Sequence, residues 1–224
     1  MARWHVDVFR HHGLEVPGVV RPVGVALLQE RVAAFLCLVG HVGESRGFAG
    51  EQLLADYTRK GYVRGRSARL MTVSVRPGKP NGAASGFFSG MVREPLAGLK
   101  GACPVAPETE VALSSPARTI EGLLRVGQST DAEWGPRTAI NMPALVTTVG
   151  EMAQALERVA GPDAAALIDW TPDANIRRIV RTWPGQVLSP RALGLGLRAD
   201  PDFDTVIRDY ARENPTSVKW AIRH

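Results

Sequence analysis

Apolar residues recur along this chain at two spacings, and the alternation between them sets out its elements. Leu70 to Val75 alternates with period two and is rich in β-branched side chains, which predicts a strand. Before it, Glu51 to Lys60 carries Leu53, Leu54 and Tyr57 on one helical face, and Gly61 stops that helix. After it, Phe87, Phe88, Met91 and Val92 begin a short helix expected to end near Glu94, because the next residue is Pro95. Val111 to Leu113 predicts a second strand. Ser114 or Ser115 then caps a helix with Pro116 in its first turn, Ile120, Leu123 and Leu124 inward, and Gly127 at its end. Thr138 to Met142 is a third strand. Thr148 and Glu151 form a capping box for a helix that turns Val149, Met152, Leu156 and Val159 inward and closes at Gly161-Pro162. Three smaller helical pieces follow: one capped by Asp173 with Ile176, Ile179 and Val180, one opened by Ser189-Pro190, and one opened by Asp200-Pro201. The last carries Phe203, Val206, Ile207 and Tyr210 at i, i+3, i+4 and i+7. Strands separated by helices, without an internal repeat, indicate an α/β layer structure.

Residues 1–48 have a different texture. They hold ten valines and four of the five histidines but no Lys, Asn, Thr, Ile or Tyr. Val25, Leu28, Val32, Phe35 or Leu36, and Val39 recur at helical spacing, with Gly40 as a C′ residue, so one apolar helix is expected. The chain is therefore divided into a divergent segment 1–48 and an orderly part 49–224. His11 and His12 are adjacent and cannot share a helix face as metal ligands. Cys37 and Cys103 are the two cysteines, far apart and without metal-site spacing, so no metal site and a reducing, cytoplasmic setting are expected. The apolar run Val23 to Val39 is broken by Gln29, Glu30 and Arg31, which argues against a membrane span.

Charge adds a focus. No acidic residue lies between Asp56 and Glu94, whereas Arg59, Lys60, Arg64, Arg66, Arg69, Arg76, Lys79 and Arg93 all do. The predicted strand delivers Arg76, Pro77, Gly78 and Lys79 at its carboxyl end, where open α/β sheets bind their ligands. Pro77 and Pro80 fix two φ angles, while Gly78 and Gly82 permit close backbone approach. Such a loop suits an anion; the competing reading is a solvated basic face. Nucleic acid is not expected as a partner, because only Tyr62 is available there to stack on bases. Gly194-Leu-Gly196-Leu-Arg-Ala199 fits a dinucleotide fingerprint on paper but lacks a preceding strand and meets Pro201 at once, so it reads as a hydrophobic turn.

GEQLLADYTRKGYV, RLMTVSVRPGKPNGAASGFFSGMVREPL, SSPARTIEGLL, NMPALVTTVGEMAQALERVAG and RALGLGLRADPDFDTVI together resemble the C-terminal half of an extended short-chain dehydrogenase/reductase. The VRPGKPN loop is most similar to the D-erythronate dehydrogenase branch of the NAD-dependent epimerase/dehydratase family. The resemblance implies part of a Rossmann-like parallel sheet and a mostly helical substrate lobe. It also implies NAD as cofactor and a small sugar acid as substrate. By position, Pro77 and Gly78 would border the cofactor, with Arg76, Lys79 and Asn81 on the substrate. Arg suits a carboxylate because its planar fork pairs with both oxygens. The family's catalytic Tyr and Lys fall at Gly43 and Gly47, which leaves no catalytic residue, and its phosphate-binding glycine loop is missing. A truncated, inactive dehydrogenase is therefore expected, with a non-catalytic α/β module that binds a small anion or a protein partner as the alternative. A sheet without its central strands would leave Met71, Val73 and Val75 without neighbours and strand edges unpaired, so poor solubility or dependence on association, as in a homo-oligomer, is expected.

Overall fold

A computed structural model describes residues 45–79 and 83–223. Every described residue belongs to one compact unit, within Val32–His224. The helix expected around Val25 to Val39, the His11-His12 pair, Cys37, Gly43 and Asn81 lie outside the described residues.

The architecture is mixed α/β, as expected. Helix α1 (Ser45–Arg59) leads to strand β1 (Ala68–Arg69), which pairs in parallel with β5 (Ile140–Asn141). Strand β2 (Thr72–Val73) pairs in parallel with β4 (Glu110–Ser114), and β4 pairs antiparallel with β6 (Leu145–Thr148), giving the order β2-β4-β6. Strands β3 (Gly101–Ala102) and β7 (Ile168–Asp169) form a third, parallel pair. Of the stretch read as a single strand from Leu70 to Val75, only Thr72–Val73 is strand, and Ala68–Arg69 just before it pairs in a different sheet: Arg69 registers with Asn141, Thr72 with Leu113. Burial does not follow the sequence alternation here, with Met71, Ser74 and Val75 buried and Leu70, Thr72 and Val73 half-buried, so the sequence pattern does not reveal the change of partner.

Helix α2 (Gly86–Leu96) and helix α5 (Val149–Ala160) supply much of the main core, with Phe88, Met91, Val92, Leu96, Met152, Leu156 and Val159 all buried. Val75 is in the same cluster and Met71 is buried, while Val73 is half-buried. The face expected to lack neighbours is therefore covered. Helix α2 also runs past Glu94 and takes in Pro95. In a last turn the missing N–H of proline costs one bond only, and the tail repairs the end: Trp220 Nε1 donates to Pro95 O at 2.7 Å and the Lys219 amide to Leu96 O at 2.9 Å.

Helix α3 (Pro116–Gln128) starts as expected, with Ser115 as cap and Pro116 in the first turn, but includes Gly127. Its inward face is Thr119, Gly122 and Val126, whereas Leu124 is 39% exposed. The reason is close packing: Gly122 lies against the Met142 methyl, so the smallest side chain and not the largest marks the contact. Thr148 caps α5 through the Glu151 amide, and the reciprocal capping box forms instead at Thr130 and Glu133, opening α4 (Asp131–Trp134). A short helix α6 (Pro162–Ala165) follows, then α7 (Ala174–Val180) behind its Asp173 cap, α8 (Pro190–Gly194) and α9 (Phe203–Glu213). The α9 cap is Asp202 and not Asp200. Gly196 sits at φ +87° between buried Leu195 and Leu197, the hydrophobic turn expected there. No helix among the described residues is long and apolar enough to cross a membrane.

Candidate functional site

The site is built where β2 ends. Strands β2 and β4 are parallel, so their carboxyl ends lie side by side, and the Ser74 amide extends the ladder by donating to Ser114 O at 3.0 Å. Helix α2 returns over this end and holds it through its polar face. Ser74, fully buried, donates through Oγ to Phe88 O at 2.9 Å. The Arg76 amide donates to Ser89 Oγ at 3.0 Å, and Arg93 Nη1 donates to Arg76 O at 2.9 Å. Arg93 is itself fixed by Glu94, whose Oε1 receives Nη2 at 2.5 Å. Glu94 Oε2 is buried without a hydrogen-bond partner among the described residues. The buried Tyr210 hydroxyl titrates above its ordinary range through burial, in the field of the same Arg93 and Glu94.

Arg76 is half-buried. Burial draws its guanidinium below the ordinary value, and the nearby Arg93 charge adds to this. Pro77, Gly78 and Lys79 are exposed, and Gly78 adopts φ +100°, a conformation that favours glycine. Asn81, the remaining candidate, belongs to residues 80–82 outside the described part.

Six other cations in the acid-free stretch have acidic partners supplied from elsewhere or from its borders. Arg59 and Lys60 pair with Asp56, Arg64 and Arg66 with Asp131, Arg69 with Glu51, and Arg93 with Glu94. The one-sided charge seen along the sequence is thus mostly neutralised in space. Ser74, Ser89 and Arg93 were not singled out as site residues from the sequence. Ser89 and Arg93 stand four apart on one helix face, a spacing that pointed to a shared contact without saying with what.

A relative from Cupriavidus necator, named D-erythronate dehydrogenase, is 47% identical over 73% of this chain and 51% of its own length. A second of that name, from Haemophilus influenzae, is 38% identical over 71% of the chain and again 51% of its own length. The solved nucleoside-diphosphate-sugar epimerase from Agrobacterium tumefaciens superposes with TM-score 0.74 at 37% identity, covering 77% of the chain and 51% of that protein. This stretch is similar to the extended short-chain dehydrogenases. It resembles the NAD-dependent epimerase/dehydratase family and, within it, D-erythronate dehydrogenase. At 22% identity and TM-score 0.67, the L-threonine 3-dehydrogenase of Trypanosoma brucei shares the fold of these short-chain dehydrogenases, covering 76% of the chain and 52% of its own. The chain spans about half the length of the curated dehydrogenases it matches. No protein-family model matches it.

The fit to a dinucleotide of the kind this family uses is partial. Pro77 and Gly78 offer an exposed wall next to Arg76, and a group added at Gly78 Cα would meet open space. The pyrophosphate needs free amides at a helix start after a strand. At the β4 to α3 junction that place is filled by the chain's own Asp200 carboxylate, which accepts from the Ser115 amide at 2.7 Å. At that junction the described residues therefore leave no free amide for a pyrophosphate. Among them, no group of three or more His, Cys, Asp or Glu is arranged to hold a metal.

Proposed function

We propose that this chain carries the substrate lobe of an NAD-linked sugar-acid dehydrogenase, with Arg76 binding the carboxylate of a four-carbon sugar acid. Lys79 and Asn81 contribute to the same anion, and Pro77 and Gly78 border the nicotinamide when NAD is bound. The observation that carries the reading is Arg76 itself. It is half-buried at the carboxyl end of a parallel strand, with its amide and its carbonyl each held by a side chain of α2. A guanidinium placed this way has less water to give up on meeting a carboxylate, and its fork can address both oxygens. The relatives named D-erythronate dehydrogenase support the substrate class.

Hydride transfer in such chemistry needs a general base of tuned pKa. With glycine at positions 43 and 47, where the family places its Tyr and Lys, binding without turnover is the expected behaviour of the chain alone. Two measurements test this. Isothermal titration with D-erythronate should show saturable binding that Arg76→Gln weakens at least about 10-fold, the scale of one charge-assisted bidentate contact. Absorbance of the reduced cofactor, with NAD and D-erythronate present, should stay flat. Absence of binding would refute the carboxylate site, and sustained turnover would refute the inactivity. The second reading, an α/β module that binds a small anion irrespective of its hydroxyls, is favoured by the exposure of Lys79. It predicts equal affinity for D-erythronate and butyrate.

A further inference from the structure

We propose that Ser89 and Arg93 are positioning residues for Arg76, so that helix α2 and not the loop itself sets where the anion-binding guanidinium points. The inference rests on the reading of Arg76 as the carboxylate-binding side chain and deepens it. A residue in a loop is usually aimed only as well as its backbone is fixed. Arg76 has both backbone polar groups fixed by side chains of one helix, two turns of which face it. Ser89 Oγ accepts the amide at 3.0 Å and Arg93 Nη1 donates to the carbonyl at 2.9 Å. Ser89 is 1% exposed, and the Arg93 side chain is 11% exposed, so neither bond competes openly with water.

The assignment of nitrogens is what makes Arg93 fit the task. Glu94 Oε1 takes Nη2, which orients the guanidinium and leaves Nη1 for Arg76 O. Lysine could satisfy either partner but could not present two donors in a fixed plane. On the strand side, Ser74 Oγ donates to Phe88 O, so the preceding turn of backbone is held to the same helix at 2.9 Å. Helix α2 is in turn seated by buried Phe88, Met91, Val92 and Leu96. The guanidinium is therefore referenced to the main core through α2, and a shift of that helix would move the anion site with it.

The test uses the full chain and three readouts: D-erythronate affinity by isothermal titration, amide exchange over the peptide containing Arg76, and the melting temperature. Ser89→Ala and Arg93→Gln should each accelerate exchange at Arg76 and weaken the acid by about 10-fold or more, the cost of misplacing a binding group by an ångström. Ser89→Thr, which keeps the hydroxyl, should restore most of the affinity, and Arg93→Lys should restore little. A purely structural role would instead lower the melting temperature while leaving affinity unchanged in the folded variants, and that result would overturn the proposal. If Arg76→Gln binds D-erythronate as the wild type does, or if the wild type binds none, the carboxylate reading falls and takes this inference with it. If Arg76→Gln weakens binding and Ser89→Ala and Arg93→Gln do not, only the positioning role is lost.

Discussion

Asp200 provides a quantitative check on how the carboxyl end of β4 is held beside the site. It is 7% exposed, its Oδ2 accepts the Ser115 amide at 2.7 Å, and its Oδ1 accepts the Ser115 hydroxyl at 2.7 Å. The same hydroxyl receives the Arg118 amide at 3.1 Å, so one carboxylate organises the first turn of α3 through its cap. Replacing Asp200 by Ala removes two hydrogen bonds to a charged acceptor, each worth about 1.5–3 kcal/mol, and leaves a buried amide unsatisfied. Removing the carboxylate also removes its desolvation cost, which offsets part of that loss. The net expectation is about 3 kcal/mol, or a fall of roughly 6–12 °C in melting temperature for a chain of this size. Asp200→Asn keeps one acceptor oxygen and should lose about half as much. Ser115→Ala keeps the amide bond and should cost about 1 kcal/mol. Urea unfolding followed by far-ultraviolet circular dichroism measures all three, and the Asp200/Ser115 double-mutant cycle should show coupling of at least about 1 kcal/mol. Because Ser74 donates to Ser114 O at 3.0 Å, amide exchange at Ser74 should also quicken in Asp200→Ala. Additive single mutants, or an Asp200→Ala loss within about 0.5 kcal/mol, would refute the reasoning.

Two further outcomes follow from side chains that close loops. Arg191 donates to Trp134 O at 2.7 Å, Pro136 O at 2.8 Å and Thr138 O at 3.2 Å, with its guanidinium 5.3 Å from the Trp134 ring centre. Arg191→Lys should cost about 1–3 kcal/mol, since a single ammonium cannot bridge these carbonyls, and should alter Trp134 emission; an unchanged urea midpoint would count against it. Glu133 is lowered from 4.5 to about 2 by the Thr130 amide first, then by Arg125 and the Thr130 hydroxyl. A carboxyl whose folded pKa lies below its unfolded value stabilises the fold above pH 4.5, and that contribution is lost as the pH falls towards 2. Arg125→Gln should raise the Glu133 titration midpoint read by carboxyl carbon chemical shift, and an unmoved midpoint would contradict the assignment.

Helices that carry their own signals were legible from contiguous residues. Ser115 and Asp173 cap α3 and α7 with side-chain hydrogen bonds, Pro190 opens α8 without one, and the 3.6-residue stripes on α5 and α9 match their buried faces. Family resemblance and the strand-end position of Arg76 were legible for the same reason, since both live in contiguous residues. Partner choice was not. Nothing local says that β1 joins β5 while β2 joins β4, that Asp131 neutralises Arg64 and Arg66, or that Asp200 crosses to Ser115. Those contacts join residues dozens of positions apart, and their energies depend on burial and geometry that exist only once the core has formed. Arg76 was visible as a charge at the end of a strand; the helix that holds it in place became visible only in the tertiary structure.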